Sequence, residues 1–341
     1  MECCICLDTG IAGPPIGVGC ACRGGSGLAH VECVVQAAVF GTGAWRTCRT
    51  CKQDFTGTMR RALADAWSLR VANEHEGAAE RLLATNNLAT CMLADGEYEQ
   101  AEHILRRLVL VQRGVLGAEH PETLTNEANL ALALWYAHKY AAAERIQRRV
   151  RKTQRRVLGA EHVDTLTTGN NLAASLSALG KFGTAARIQR EILAVQSRVL
   201  GREHYCCLMS SSNLAASLAG LGNNAAAETI EREVLAVKRR VFGDEHPTTL
   251  TTASNLGQSL FMQGKFAESE QLQREVLLTK RRVLGDAHPE TVTAEGNYAV
   301  ALIGIGDFDA AELRGLGPEL RELVDELRIG NSKQIKGPEL P

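Results

Sequence analysis

A fixed period of 42 residues limits how this chain can fold more than any other feature of its sequence. The phrase that begins at Leu158 recurs at Leu116, Leu200, Phe242 and Leu284, with no insertion between the units. Two polar residues recur with it: a histidine at His120, His162, His204, His246 and His288, and an asparagine at Asn87, Asn129, Asn171, Asn213, Asn255 and Asn297. The period predicts a solenoid, because a unit of this size buries its apolar face only against its neighbours.

Each unit carries the pattern of two amphipathic helices. The first helix follows the histidine-containing segment, where Thr or Asp can cap it and proline can begin it. It ends at a glycine, which suits left-handed backbone at a helix end. These glycines are Gly96, Gly180, Gly222, Gly264 and Gly306, and His138 takes the position in one repeat. Small residues early in the second helix predict close approach of the paired helices; they are Ala101, Ala143, Ala185 and Ala227.

This repeat resembles the tetratricopeptide repeat in its longer, 42-residue form, and is closely similar to the repeats of kinesin light chains. The resemblance implies an all-α solenoid of about six helix pairs over residues 74–328, followed by a tail at 329–341 whose two prolines and mixed charge predict disorder. It also implies a groove that binds a substrate protein or peptide through asparagines of the first helices, namely Asn129, Asn171, Asn213 and Asn255. The alternative is that each asparagine bonds the backbone of the neighbouring repeat and fixes the stacking.

The recurring histidines lie one to a repeat, too far apart to share a metal ion, so we expect them to cap or pack the helices. The basic ends of the second helices, such as the segment RRVRKTQRRV, predict a charged outer face. An acidic partner for that face is the alternative.

A second feature is a cluster of cysteines, since eight of the 11 lie in the first 51 residues. Seven of these, all but Cys4, follow with one histidine the order C-x2-C, C-x-C, H-x2-C, C-x2-C: Cys3, Cys6, Cys20, Cys22, His30, Cys33, Cys48 and Cys51. Eight such ligands suffice for two tetrahedral, structural zinc sites. An odd, clustered cysteine count without a secretion signal favours metal over disulfides.

The ligand order and gaps resemble the RING-CH zinc finger; the PHD finger has the same order but different spacing. The resemblance implies a cross-braced finger over residues 1–55 that holds two zinc ions. With the solenoid that follows, the whole chain is expected to be mainly α. Cys3, Cys6, His30 and Cys33 would hold one ion, and Cys20, Cys22, Cys48 and Cys51 the other. The resemblance further implies docking of a ubiquitin-conjugating enzyme loaded with ubiquitin, with contacts from Ile5, Trp45 and Lys52 and no catalytic residue of the finger's own.

Between the two modules, Leu63, Trp67 and Val71 are spaced as on one face of a helix. They predict a connecting helix over residues 56–73 that packs the finger onto the solenoid.

The formal net charge of −1 argues against a general nucleic-acid binder. The start of the chain lacks the pattern of a signal peptide, and no apolar run predicts a membrane span. We therefore expect a cytoplasmic, or nuclear, protein. The favoured function is a RING-type ubiquitin ligase whose solenoid selects the substrate. The alternative is a non-enzymatic adaptor with a structural finger, which is favoured by Ala37 and Arg49 standing where the ligase family often has tryptophan and proline. A histone-tail reader is the third hypothesis.

Overall fold

The computed structural model describes residues 16–17, 28–39, 45–48 and 52–305. In these residues the chain forms thirteen helices and one two-stranded sheet. The prediction of an all-α repeat structure is therefore confirmed for the described repeats. The chain divides into two compact units, Met1–Ser175 and Leu176–Pro341.

The elements follow the predicted order. Strands β1 and β2 are Ile16–Gly17 and Leu28–Ala29, paired antiparallel, and helices α1 and α2 are Val31–Val39 and Gly57–Arg70. The repeat helices are α3 Ala79–Ala94, α4 Tyr98–Val115, α5 Pro121–Tyr136, α6 Tyr140–Val157, α7 Val163–Ala178, α8 Phe182–Val199, α9 Tyr205–Gly220, α10 Asn224–Phe242, α11 Pro247–Phe261, α12 Phe266–Leu284 and α13 Pro289–Ile305. Within the described residues, no helix has the length and apolar character that crossing a membrane would require.

Helix α2 lies where the sequence predicts a connecting helix, and it packs on both α1 and α3. Its apolar residues Leu63 and Trp67, with Val71 just after it, are at most 2% exposed. The Trp67 ring stacks on Trp45, with ring centroids 5.8 Å apart. Arg61 of the same helix makes ion pairs with Asp65, Asp95 and Glu97, which tie α2 to the turn of the first repeat.

In the repeats, the first and second helix of each pair are called the A helix and the B helix. A helices are α3, α5, α7, α9, α11 and α13; B helices are α4, α6, α8, α10 and α12. Helix α4 packs between α3 and α5 in the first unit, and α10 packs between α9 and α11 in the second. The predicted small residues of the B helices are completely buried, which confirms the close approach: Ala101, Ala143, Ala185 and Ala227.

The recurring histidines cap the A helices, which confirms a structural role for them. In each, Nδ1 accepts a hydrogen bond of 3.2–3.3 Å from the backbone N–H two residues later, at Glu122, Asp164, Cys206, Thr248 and Glu290. The expectation that Thr or Asp caps these helices was wrong, because the imidazole precedes the first turn and its ring nitrogen already reaches the open N–H.

The turn from A helix to B helix needs left-handed backbone at one residue. The predicted glycines Gly96, Gly180, Gly222 and Gly264 have φ between 71° and 83°. His138 takes the same conformation at φ 59°, and its Nδ1 lies 2.7 Å from the Tyr140 hydroxyl. Gly306 lies outside the described residues.

We predict that His120→Ala lowers the free energy of unfolding by about 1 kcal/mol, because the variant loses the side-chain acceptor at the start of α5. His120→Asn should retain most of the stability, since asparagine is a favourable capping residue. Urea denaturation followed by circular dichroism measures both. His103→Ala, at an exposed position of α4, is the control and should change the midpoint little; equal effects of the alanine changes at 103 and 120 would contradict the capping role.

Candidate functional site

The A helices of each unit form a row in which neighbours contact one another. Helix α3 contacts α5 in the first unit, and α9 contacts α11, which contacts α13, in the second. Each recurring asparagine lies on an A helix, one to a repeat. The repeat therefore presents amide side chains at equivalent places along these rows.

The four predicted peptide-binding asparagines share one environment. Each is half-buried, and none has a side-chain hydrogen bond within the described residues: Asn129, Asn171, Asn213 and Asn255. Asn297 differs, because its amide nitrogen donates to Ser254 Oγ at 3.0 Å and its oxygen lies 3.5 Å from Gln258 Nε2. Stacking between repeats thus accounts for Asn297, whereas the other four amides are available to a partner.

A second polar row lies on the B helices, and the sequence reasoning missed it; three of its five members bond the next A helix. It is the column Gln112, Gln154, Gln196, Lys238 and Lys280, again 42 residues apart, and each member is at most 8% exposed. Gln112 accepts a hydrogen bond of 3.0 Å from Asn126 of the next repeat. Polar residues at a fixed period within an apolar face are the signal that could have revealed it. Their bonds give neighbouring helices a fixed register.

The fourth repeat carries two buried ionisable residues on α10: Glu231, where the second, third and fifth repeats have glutamine, and Lys238, where the first three repeats do. Glu231 is 2% exposed, and burial raises the pKa of its carboxyl to about 7. Lys238 is 1% exposed, and burial lowers the pKa of its amine to about 8. The Lys238 ammonium donates to Thr252 Oγ1 at 2.9 Å and Ser212 Oγ at 3.1 Å, so its partners among the described residues are neutral oxygens.

Three of the eight predicted zinc ligands lie in the described residues. Cys33 Sγ is 3.8 Å from His30 Nδ1, close to the distance of about 3.6 Å that tetrahedral geometry sets between a sulfur and a nitrogen ligand of zinc. Cys48 begins a tight turn, in which its carbonyl accepts from Lys52 N and its N–H donates to the Gln53 carbonyl. Within the described residues no cluster of three or more metal-binding side chains occurs. The remaining ligands, Cys3, Cys6, Cys20, Cys22 and Cys51, lie outside them.

Of the three residues predicted to contact a ubiquitin-conjugating enzyme, two lie in the described residues. Ile5 lies outside the described residues. Lys52 is exposed, with φ of 61° at the end of the Cys48 turn. Trp45 is 1% exposed and stacked on Trp67, so the prediction that it contacts the enzyme was wrong. Its ring fills the core between the N-terminal module and α2 and offers no surface to a partner.

Comparison with protein families identifies the repeats as tetratricopeptide repeats. A tetratricopeptide repeat model matches residues 80–156 and 125–198. A second tetratricopeptide repeat model matches residues 207–248 and 249–290, so the matches together cover more than half of the chain. Curated proteins gave no match.

Solved structures also include chains with a similar fold. One, from Podosopora anserina, is described as a kinesin light chain with nearly identical TPR-like repeats; it is 25% identical, with a TM-score of 0.53 over 62% of this chain and 99% of that one. BtubC (BKLC) from P. vanneervenii is 16% identical, with a TM-score of 0.50 over 74% of this chain and 94% of that one. The repeats are thus of the kinesin light chain type.

We predict that Glu231→Gln abolishes a pH dependence of stability between about 4.5 and about 7. In this window folded Glu231 keeps a proton that the unfolded chain has lost, so wild-type stability falls as pH rises. The variant, which has the glutamine of the equivalent positions 147, 189 and 273, should be equally stable at pH 4.5 and more stable above pH 7, by roughly 3 kcal/mol at most.

Urea midpoints measured across this range test the prediction. Glu233→Gln, at an exposed position of the same helix, is the control and should follow the wild-type profile. Parallel profiles for wild type and Glu231→Gln would refute a buried, protonated carboxyl.

Proposed function

The chain belongs to the tetratricopeptide repeat family, and from that premise we propose that it is a protein-interaction scaffold whose A helices bind segments of partner proteins. The observation that carries the proposal is the set of four half-buried asparagine amides without side-chain partners in the described residues. An amide donates and accepts at once, so it matches the N–H and C=O groups of an extended peptide backbone.

The uniform placement of these amides supports recognition of backbone rather than of one side chain. Asn129 and Asn171 are a pair in the first unit, and Asn213 and Asn255 are a pair in the second. Leaving these amides unpaired is tolerable only because each is partly open to water. A bound segment would replace that water with direct hydrogen bonds. The likeness to kinesin light chains supports an adaptor role for the scaffold.

We predict that peptides selected from a random display library against the full-length chain lose affinity when one pair of asparagines is changed. Asn213→Ala with Asn255→Ala should weaken peptides bound to the second unit about tenfold or more, because each net hydrogen bond contributes about 1 kcal/mol. Asn129→Ala with Asn171→Ala tests the first unit. Calorimetric titration gives the dissociation constants.

The matched control is Asn297→Ala. This change breaks bonds to the preceding repeat, so it should lower the thermal midpoint and leave peptide affinity nearly unchanged. Selected peptides that bind both double variants as tightly as wild type would show that the asparagines do not form the binding surface.

The scaffold would also carry a zinc-stabilised module at its N-terminus. Support comes from the 3.8 Å separation of Cys33 and His30 and from the closed turn at Cys48, both of which suit ligands held by a metal ion. His30 and Cys33 would hold one zinc and Cys48 the other, completed by the five cysteines outside the described residues. Bound zinc would supply folding energy to a module with a small apolar core.

We predict two zinc ions per purified chain, measured by inductively coupled plasma mass spectrometry. Cys33→Ser should lower the content, and Cys206→Ser, which alters an exposed thiol on α9, should not. Chelation should also shift tryptophan emission to longer wavelength, because Trp45 and Trp67 stack beside this module. Zinc-free protein with unaltered emission would exclude the metal site.

Ubiquitin ligation is the second candidate function, and it depends on the zinc module. The exposure of Lys52 beside the Cys48 turn supports it, whereas the burial of Trp45 removes one of its proposed contacts. The test is autoubiquitination with a panel of conjugating enzymes, in which Ile5→Ala should abolish chains that the wild type forms. If no wild-type reaction forms ubiquitin chains, ligation is excluded and only the scaffold function is retained.

A further inference from the structure

A cleft of about 780 Å³ opens between the B helices α8 and α10 in the second unit. Leu193 of α8, Leu208 of α9 and Val234 of α10 form its apolar floor. Arg190 of α8, Arg202 after α8 and Glu233 of α10 also line it, and all three are exposed. None of the recurring asparagines lines it. A cleft of this volume is large enough to hold side chains of a bound ligand.

The cleft exists because one residue breaks a column of arginines. Arg113, Arg155, Arg239 and Arg281 occupy one position of the B helices, and the member on α8 is Ser197. In the next repeat Arg239 reaches across to Glu275 of α12, at 2.6 Å, and bridges the two B helices. Ser197 is too short to reach Glu233, the counterpart of Glu275. The space that a guanidinium fills in the next repeat is therefore open here.

Two further substitutions leave charges in the cleft without partners among the described residues. Arg190 corresponds to Arg232, which pairs with Glu268 at 2.7 Å, but the counterpart of Glu268 is Ala226. Arg202 corresponds to Asp244, which pairs with Arg239 at 3.1 Å, so the charge at this position is reversed. Among the described residues, Arg190, Arg202 and Glu233 make no ion pair or side-chain hydrogen bond.

We infer that this cleft binds an acidic segment of a partner protein, separately from the asparagine rows. Carboxylates of the segment pair with Arg190 and Arg202, as Glu268 pairs with Arg232 in the next repeat. An apolar side chain covers Leu193, Leu208 and Val234, and backbone N–H groups donate to Glu233. The carboxylate of Glu233 disfavours a nucleic acid, because it would repel the phosphates, which have no hydrogen-bond donor. A peptide backbone has N–H donors for this carboxylate. Exposed arginines and an apolar floor together match a peptide in which glutamates flank a leucine.

The experiment measures fluorescence polarisation of a labelled peptide, one leucine flanked by glutamates on both sides, with the full-length chain. The same peptide with glutamines for glutamates is the ligand control. Arg190→Glu and Ser197→Arg should each weaken binding about tenfold or more, the first by charge reversal and the second by filling the cleft and pairing with Glu233. The matched protein control is Arg232→Glu, which reverses an arginine already paired elsewhere and should leave binding nearly unchanged.

The outcomes separate this site from the scaffold function. The cleft proposal is supported if Arg190→Glu and Ser197→Arg both lose peptide affinity. The Arg232→Glu variant and the Asn213→Ala, Asn255→Ala double variant should then bind the peptide as tightly as the wild type. Loss only in the asparagine variant places the peptide on the A helices and overturns the cleft proposal. Equal binding of the glutamate and glutamine peptides, or no binding to wild type, overturns the stated partner chemistry. A melting curve for Ser197→Arg checks its fold, and Arg190→Glu, at an exposed position, decides the matter if that variant unfolds.

Discussion

Contact between a B helix and the A helix of the following repeat, as between α4 and α5 or α10 and α11, is the interaction on which the structure depends. An isolated helix pair would leave one apolar face in water, and stacking covers it. Completely buried alanines, such as Ala143 and Ala185, allow the paired helices to approach closely. Hydrogen bonds such as Gln112 to Asn126 then fix the register in which the next pair adds. The asparagine rows follow from this regular stacking.

Residues that recur in every repeat and residues that occur in only one repeat have different structural effects. Residues that recur cap, turn or pack the helices and so give every pair the same geometry. A residue that departs from its column changes one interface: Glu231 introduces a buried carboxyl, and Ser197 leaves a cleft open. In a protein of similar units, a site with its own chemistry arises where one repeat departs from the others.

Much of the repeat could be predicted because its determinants are local. A glycine before the B helix needs left-handed backbone wherever it occurs, and Gly180 and Gly264 have it. The recurring histidines were correctly given a structural role. The helix cap was wrongly assigned to Thr or Asp, because capping depends on where one ring nitrogen lies relative to one backbone N–H. Trp45 was wrongly expected at the surface, since stacking on Trp67 depends on residues distant from the zinc-ligand motif.

The sequence by itself determined the period, the helix pairs, their ends and the position of one asparagine in each repeat, because these depend on residue spacing along a single chain segment. Tertiary structure alone decided which asparagines are available, since Asn297 is bonded to Ser254 of the preceding repeat and Asn255 is not. It also decided that the loss of one arginine opens a cleft. The physical reason is that hydrogen bonds, ion pairs and open volume belong to pairs of surfaces, which exist only after the helices have packed.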